Sequence, residues 1–243
     1  MSYAGSPPYT KTMKILNRQY YAQQIVIFRD RHPLIGPTFW VLSIQYFLTQ
    51  FIVARAWKAP FSLMTNAISD LGNTACGQYA DRFVCSPLHA WMNASFVLLG
   101  VTMVIGSFFI TSEFRPNLYS RIGFRCMALA GLGTIFVGLF PENTVSFMHF
   151  IGAALPFALG NLALITFSFS LELPTLFRYY TRLSGIIGLT AFVFFMFDHY
   201  LGLGLGGMER IVAFPQTIWL ISFGWYMSAD HYRKWRGSRT TYI

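Results

Sequence analysis

Six apolar runs, each long enough to cross a ~30 Å hydrocarbon core at about 20 residues per helix, divide the chain at roughly residues 37–57, 88–111, 122–140, 148–171, 183–201 and 211–228. Their connections are mostly short, so successive helices are expected to be antiparallel neighbours in one bundle. The pattern predicts an all-α integral membrane protein, a bundle of six transmembrane helices over residues 37–228. It is preceded by a basic amphipathic N-terminal arm over 1–36 and followed by a basic C-terminal tail over 229–243. In the arm, apolar residues from Met13 to Phe28 recur loosely at helical spacing between Lys11, Lys14, Arg18, Arg29 and Arg31. This suits a helix lying on headgroups, and an arm packed on a neighbouring subunit is the alternative. The arm holds no apolar signal region, so no cleavable secretory signal is expected.

Composition supports the membrane reading. The 243 residues are 54% hydrophobic, 18% aromatic and only 11% charged, whereas a soluble surface usually needs about 25% charged residues. A net charge of +9 raises nucleic-acid binding, but so few charges in total read better as topology determinants and lipid contacts. No nucleic-acid partner is expected. With the amino terminus inside, every Lys and Arg except Arg55, Lys58, Arg82 and Arg210 falls on the inner side. Both termini are therefore expected to be cytoplasmic, or on the equivalent inner side.

Cys76 and Cys85 share the first outer loop, close enough to bridge in an oxidising compartment. They could equally remain free, and Cys126 lies inside the third span. Glycines such as Gly131, Gly133, Gly152 and Gly185 would let helix backbones approach closely. Pro156 should kink the fourth span. The glycine-rich run 202–207 reads as a mobile outer turn.

Candidate chemistry collects at the outer ends of the spans. Asn66, Ser69 and Asp70 lie in the first loop, His89 and Asn93 share a face of the second span, Glu142 and Asn143 follow the third, and His149 opens the fourth. Asp198 and His199 close the fifth span, and Glu209 and Arg210 precede the sixth. Ionisable groups at membrane depth usually have partners or a function. Asp70, His149, His89 and His199 are thus the catalytic candidates, for an acid–base pair or a His/Asp metal site. Against this, the histidines lie far apart in sequence with no HExxH or CxxC pattern, so no metal and no other cofactor is expected. A structural polar cap or headgroup site formed by Asn66, Ser69, Asp70, Asn93, Glu209 and Arg210 is the competing reading. Glu209 and Arg210 read as a salt bridge, or Arg210 as a phosphate anchor.

The ordered set Asn66-Ala67-Ile68-Ser69-Asp70-Leu71-Gly72, Asn93, Gly100, Phe140-Pro141-Glu142, 149–154, Gly206-Gly207-Met208-Glu209-Arg210 and Trp219 resembles the domain of unknown function 998 family of six-span membrane proteins. The Ile-Ser-Asp-Leu-Gly core is also similar to that of the damage-regulated autophagy modulator family, which implies a similar fold. Neither resemblance implies a reaction. By resemblance, Ser69, Asp70, Gly72, His149, Glu209 and Arg210 are family features, while the segment 73–86 with its cysteine pair is an insertion.

Three function classes follow. The foremost is a non-enzymatic accessory subunit of a larger membrane complex, contacting protein partners and bound lipids. The next is an outer-leaflet lipid-binding or lipid-modifying protein. The third is a small-solute transporter, disfavoured because Asn161 is the most central polar side chain and has no charge nearby.

Overall fold

A computed structural model describes Tyr20 and residues 23–24, 26–58, 60–110 and 113–240, with side chains as far as 236. Most of the N-terminal arm lies outside the described residues; its last part, 26–31, is helical. Eight α-helices follow: α1 (Ile35–Leu42), α2 (Gln45–Arg55), α3 (His89–Phe109), α4 (Leu118–Leu139), α5 (Ser146–Leu155), α6 (Asn161–Phe167), α7 (Thr175–Met196) and α8 (Gly204–Thr240). Two short strands, β1 (Gly77–Tyr79) and β2 (Arg82–Val84), form an antiparallel hairpin between α2 and α3.

Among the described residues, five helical stretches are long and apolar enough to cross a membrane: Ile35–Arg55, His89–Phe109, Leu118–Leu139, Ser146–Phe167 and Thr175–Met196. This is a multi-pass integral membrane protein. The first stretch is not one smooth helix, since it breaks at Ser43 and Ile44 between α1 and α2, where the Ser43 hydroxyl meets that of Thr102 on α3 at 3.0 Å. The fourth stretch joins α5 to α6 through a π-helical turn at Pro156–Gly160, as the expected proline disturbance requires. Asn161 steadies that turn, its Nδ2 donating to the carbonyls of Phe157 (2.9 Å) and of Val212 on α8 (3.0 Å).

The expected sixth run is the start of α8, a 37-residue helix. The buried face of this helix carries Glu209, Arg210, Gln216 and Thr217. Residues 229–240 continue this helix.

The helices form a ring: α1 packs on α3, α3 on α4, α4 on α5, α6 on α7, and α8 closes it between α7 and α1. Glycines set the closest approaches. A Cβ on Gly131 would lie 2.7 Å from the Gly100 carbonyl, and one on Gly133 would lie 2.5 Å from that of Gly152. In lipid, such contact replaces the missing hydrophobic drive between helices.

The two ends of the ring are filled differently. At the end nearer the α4 amino terminus, Trp40, Phe114, Phe167, Trp219 and Phe223 are buried against one another. Trp219 stacks on Phe223 with centroids 4.9 Å apart, and its indole N–H donates to the Thr181 hydroxyl at 2.8 Å. The opposite end is closed by the loop 60–88 and is polar.

Candidate functional site

Local hydrogen bonds fold the Asn66–Gly72 segment inward. Asn66 Oδ1 accepts from the Ser62 amide (3.0 Å), and Asp70 Oδ2 accepts from the Ala67 amide (2.9 Å). These are side-chain-to-backbone turns of the kind Asn and Asp favour. A 3-10 turn, Ser69–Gly72, follows with all four residues buried. It is held from below by Asn93 Nδ2, which donates to the Gly72 carbonyl (2.8 Å), and by Ser86, whose hydroxyl donates to the Leu71 carbonyl (2.7 Å).

Asp70 has no solvent exposure, and a bare carboxylate there would be costly. Its partner is Arg82, which donates through Nε and Nη2 to the two carboxylate oxygens, each at 2.7 Å. Arg82 opens β2, and the Cys76–Cys85 disulfide closes the hairpin that carries it. The segment read from sequence as an insertion thus delivers the counter-ion of the most deeply buried acid. A fork-to-carboxylate pair is the strongest geometry available to these groups, and it raises the guanidinium pKa despite partial burial.

The start of α8 forms the other wall. Gly206 and Gly207 donate their amides to the Met64 carbonyl at 2.8 and 3.3 Å. Any Cβ on Gly206 would sit 2.1 Å from the Asn66 carbonyl oxygen, so the loop docks where glycine leaves room. The run expected to be a mobile turn is therefore the packed opening of a helix; only Gly202 and Gly204 take left-handed values, with φ of 80° and 70°.

Glu209 and Arg210 do not pair with each other, contrary to the salt bridge expected from their adjacency. Successive helical residues point about 100° apart. Glu209 accepts from the Ile68 amide, while Arg210 Nη1 donates to the carbonyls of Leu63, Asn66 and Gly206 at 2.7–2.9 Å. Both residues act as clamps between α8 and the loop.

Glu142, in the turn between α4 and α5, completes the cluster. It is 4% exposed, lies 3.9 Å from Arg82, and its Oε1 has no hydrogen-bond partner among the described residues. Burial, reinforced by the Asp70 carboxylate, pushes its pKa well above the ordinary carboxylate range.

Two spaces adjoin this network. An open cleft of about 440 Å³ is lined by Ser69, Arg82, Glu142, Asp198, Tyr200 and Glu209, with Phe150 and Phe195 at its sides. Burial and a 2.7 Å hydrogen bond to Asp198 hold the Tyr200 phenol up to about 12. Behind Ser69 and Glu209 lies a cavity of about 40 Å³ bounded by Tyr46, His149, Gln216 and Thr217. Most of the rest of its lining is apolar, with Phe96, Leu99, Met103, Val137 and Phe157.

The structure brings Asn66, Ser69, Asp70, Glu209 and Arg210 together, and places Asn93 beneath them. His149 reaches the cavity wall with Nδ1 on the Phe140 carbonyl (2.9 Å). The other two histidines do not converge with it. His89 turns its Nδ1 to the Ser86 carbonyl (3.0 Å), and His199 is exposed in the turn after α7. Among the described residues, no group of three or more His, Cys, Asp and Glu side chains is placed to hold a metal ion. Arg82 and Tyr200 were missed as site residues, while the sequence places Glu142 at the outer end of the third span. The signal for Arg82 was its place between two cysteines whose closure folds it back on the Ser69–Gly72 turn.

Fold and site together define a multi-pass helical membrane protein, plugged at one end by buried charges and open there through a cleft. Residues 41–226 match the family described as protein of unknown function (DUF998), and the chain belongs to that family. No curated protein and no solved structure matches it.

Proposed function

We propose that this protein is a six-span membrane protein that binds a lipid headgroup in the cleft at its charged end. α8 is the sixth span, since it closes the ring of five apolar stretches. Both termini then lie on the inner side and the cleft at the outer leaflet. The observation that carries the reading is the composition of the cleft, where buried ionic groups form the floor while Phe150 (60% exposed) and Phe195 face outward at membrane depth. An amphiphile needs both surfaces.

Binding fits better than turnover. Both oxygens of Asp70 are held by Arg82, and the Nδ1 atoms of His149 and His89 are engaged with backbone carbonyls. Three of the four catalytic candidates, Asp70, His149 and His89, are thus engaged in holding the fold.

A photoactivatable lipid tests this. Labelling is expected at the peptides carrying Phe150 and Phe195, and Leu205→Trp, which fills the cleft, should abolish it. Labelling spread evenly over all helices, or indifferent to that variant, would contradict the reading.

The accessory-subunit reading rests on a separate observation. At about 1.5 Å per residue, α8 is far longer than a ~30 Å hydrocarbon core, and its projecting part displays Tyr232 and Trp235. This helical extension is a docking element for a protein partner. Truncation after Ser228 should release the chain from any larger assembly with which it co-purifies in mild detergent; unchanged association would remove that role.

A further inference from the structure

The cleft is unevenly charged. Its lining holds three carboxylates, Glu142, Asp198 and Glu209, against one guanidinium, Arg82. That guanidinium is already matched to Asp70 through two 2.7 Å bonds and lies over the Tyr79 ring at 5.6 Å. Arg210 faces loop carbonyls and does not line the cleft. Glu142 keeps its proton at neutral pH because burial and the Asp70 carboxylate raise its pKa, so the charge left uncompensated in the cleft is that of Asp198, and it is negative.

Two further observations point to an occupant. Glu142 is 96% buried by complement of its 4% exposure, lines the cleft, and has an Oε1 with no hydrogen-bond partner among the described residues. A buried acceptor left unmade is costly, and a donor arriving through the cleft would satisfy it. The side walls are aromatic, with Phe195 and Tyr200 in ring contact at 6.2 Å and Phe150 alongside. Acids combined with ring faces attract organic cations through charge-assisted hydrogen bonds and cation–π contact. A phosphate inside the acidic part of the cleft would be repelled, so the amine enters and the phosphate of the same headgroup stays at the mouth.

We infer that the cleft is selective for an ammonium group, the amine of a lipid headgroup, with Glu142 and Asp198 as its acceptors. This rests on the headgroup-binding reading above and names the chemistry of the ligand.

The full-length protein in detergent should be titrated with phosphatidylethanolamine, with phosphatidylglycerol, and with soluble ethanolamine, and bound species counted by native mass spectrometry. Phosphatidylethanolamine is expected to be retained at least about tenfold more tightly than phosphatidylglycerol, a difference of about 1.4 kcal/mol. The double variant Glu142→Gln/Asp198→Asn should lose that preference while still binding lipid. Equal or better binding of phosphatidylglycerol to the unaltered protein would overturn the amine assignment and leave the headgroup site standing. If soluble ethanolamine displaces the lipid at equal concentration, the amine assignment holds and the lipid source is overturned. If neither lipid is retained above the level of Leu205→Trp, the headgroup reading falls and the inference with it. A double variant that keeps its preference would remove Glu142 and Asp198 from recognition.

Discussion

The aromatic end and the charged end of the bundle are built from the same helices and closed in opposite ways. At the aromatic end, Trp40, Trp219, Phe223, Phe167 and Phe114 interlock, and each ring needs only shape complementarity from its neighbours. At the charged end, Asp70, Arg82, Glu142, Glu209 and Arg210 are all buried or nearly so, and each needs a specific partner. Rings can fill space as a close-packed solid does. Ion pairs and backbone clamps fix directions and leave gaps, here a cavity of about 40 Å³ and a cleft of about 440 Å³. The aromatic end also carries an open cleft, of about 400 Å³ beside Phe114 and Phe124; what sets the charged end apart is that its cleft is floored by buried ionic groups.

The sharpest way to break this contrast is to damage each end once. Arg82→Ala strands the Asp70 carboxylate and should cost about 3–5 kcal/mol, seen as a lower thermal midpoint in detergent. Adding Asp70→Asn should recover part of the loss. Trp219→Ala should cost a similar ~3–5 kcal/mol yet leave labelling by a photoactivatable lipid in its normal place, whereas Arg82→Ala should disturb both. If the two variants behave alike in labelling, the division between a packing end and a binding end is wrong.

Removing the disulfide is the next largest change. Cys76→Ser/Cys85→Ser frees the hairpin and should cost about 2–3 kcal/mol for so short a loop, again by thermal unfolding. Labelling in the cleft should weaken because Arg82 is no longer held in place. An unchanged midpoint would mean that Arg82 and Asp70 hold the hairpin unaided.

Smaller still is a dependence on pH confined to the charged end. The folded-state pKa of Glu142 is raised above its unfolded value. Its contribution to stability is therefore fully present below the ordinary carboxylate range and is lost as pH rises toward the raised value, because the unfolded chain gives up the proton first. Glu142→Gln should flatten that part of the profile. A variant whose midpoint falls with pH as steeply as the unaltered protein would place the titrating group elsewhere. The smallest effect is expected from Thr181→Val, which removes the acceptor of the Trp219 indole N–H at about 1 kcal/mol, with no change in labelling.

Much of the bundle was legible because span length and apolar content are local properties. Boundaries slipped where tertiary contact overrides them. Arg178 and Arg182 read as flanking charges, yet α7 begins before them, with Arg182 donating to the Ser168 hydroxyl at 3.2 Å. The polar residues at the start of α8 likewise belong to its buried face. At the site, Asp70 and Glu209 stood out as acids at membrane depth, but their partners did not. Arg82 reaches Asp70 only after the hairpin closes, and Glu142 arrives from a turn far along the chain. The adjacency of Glu209 and Arg210 suggested a pair because sequence distance hides the angle between neighbouring helical side chains. Histidines separated by whole spans carried no information on whether they would meet, and two of the three do not.

The most direct test is a high-resolution structure of the protein in a lipid bilayer that contains phosphatidylethanolamine. The account predicts an ordered headgroup in the cleft, within hydrogen-bonding distance of Glu142 and with its chains leaving past Phe150 and Phe195. Lipids ordered elsewhere around the bundle, with the cleft holding only water or closed by its own side chains, would contradict it.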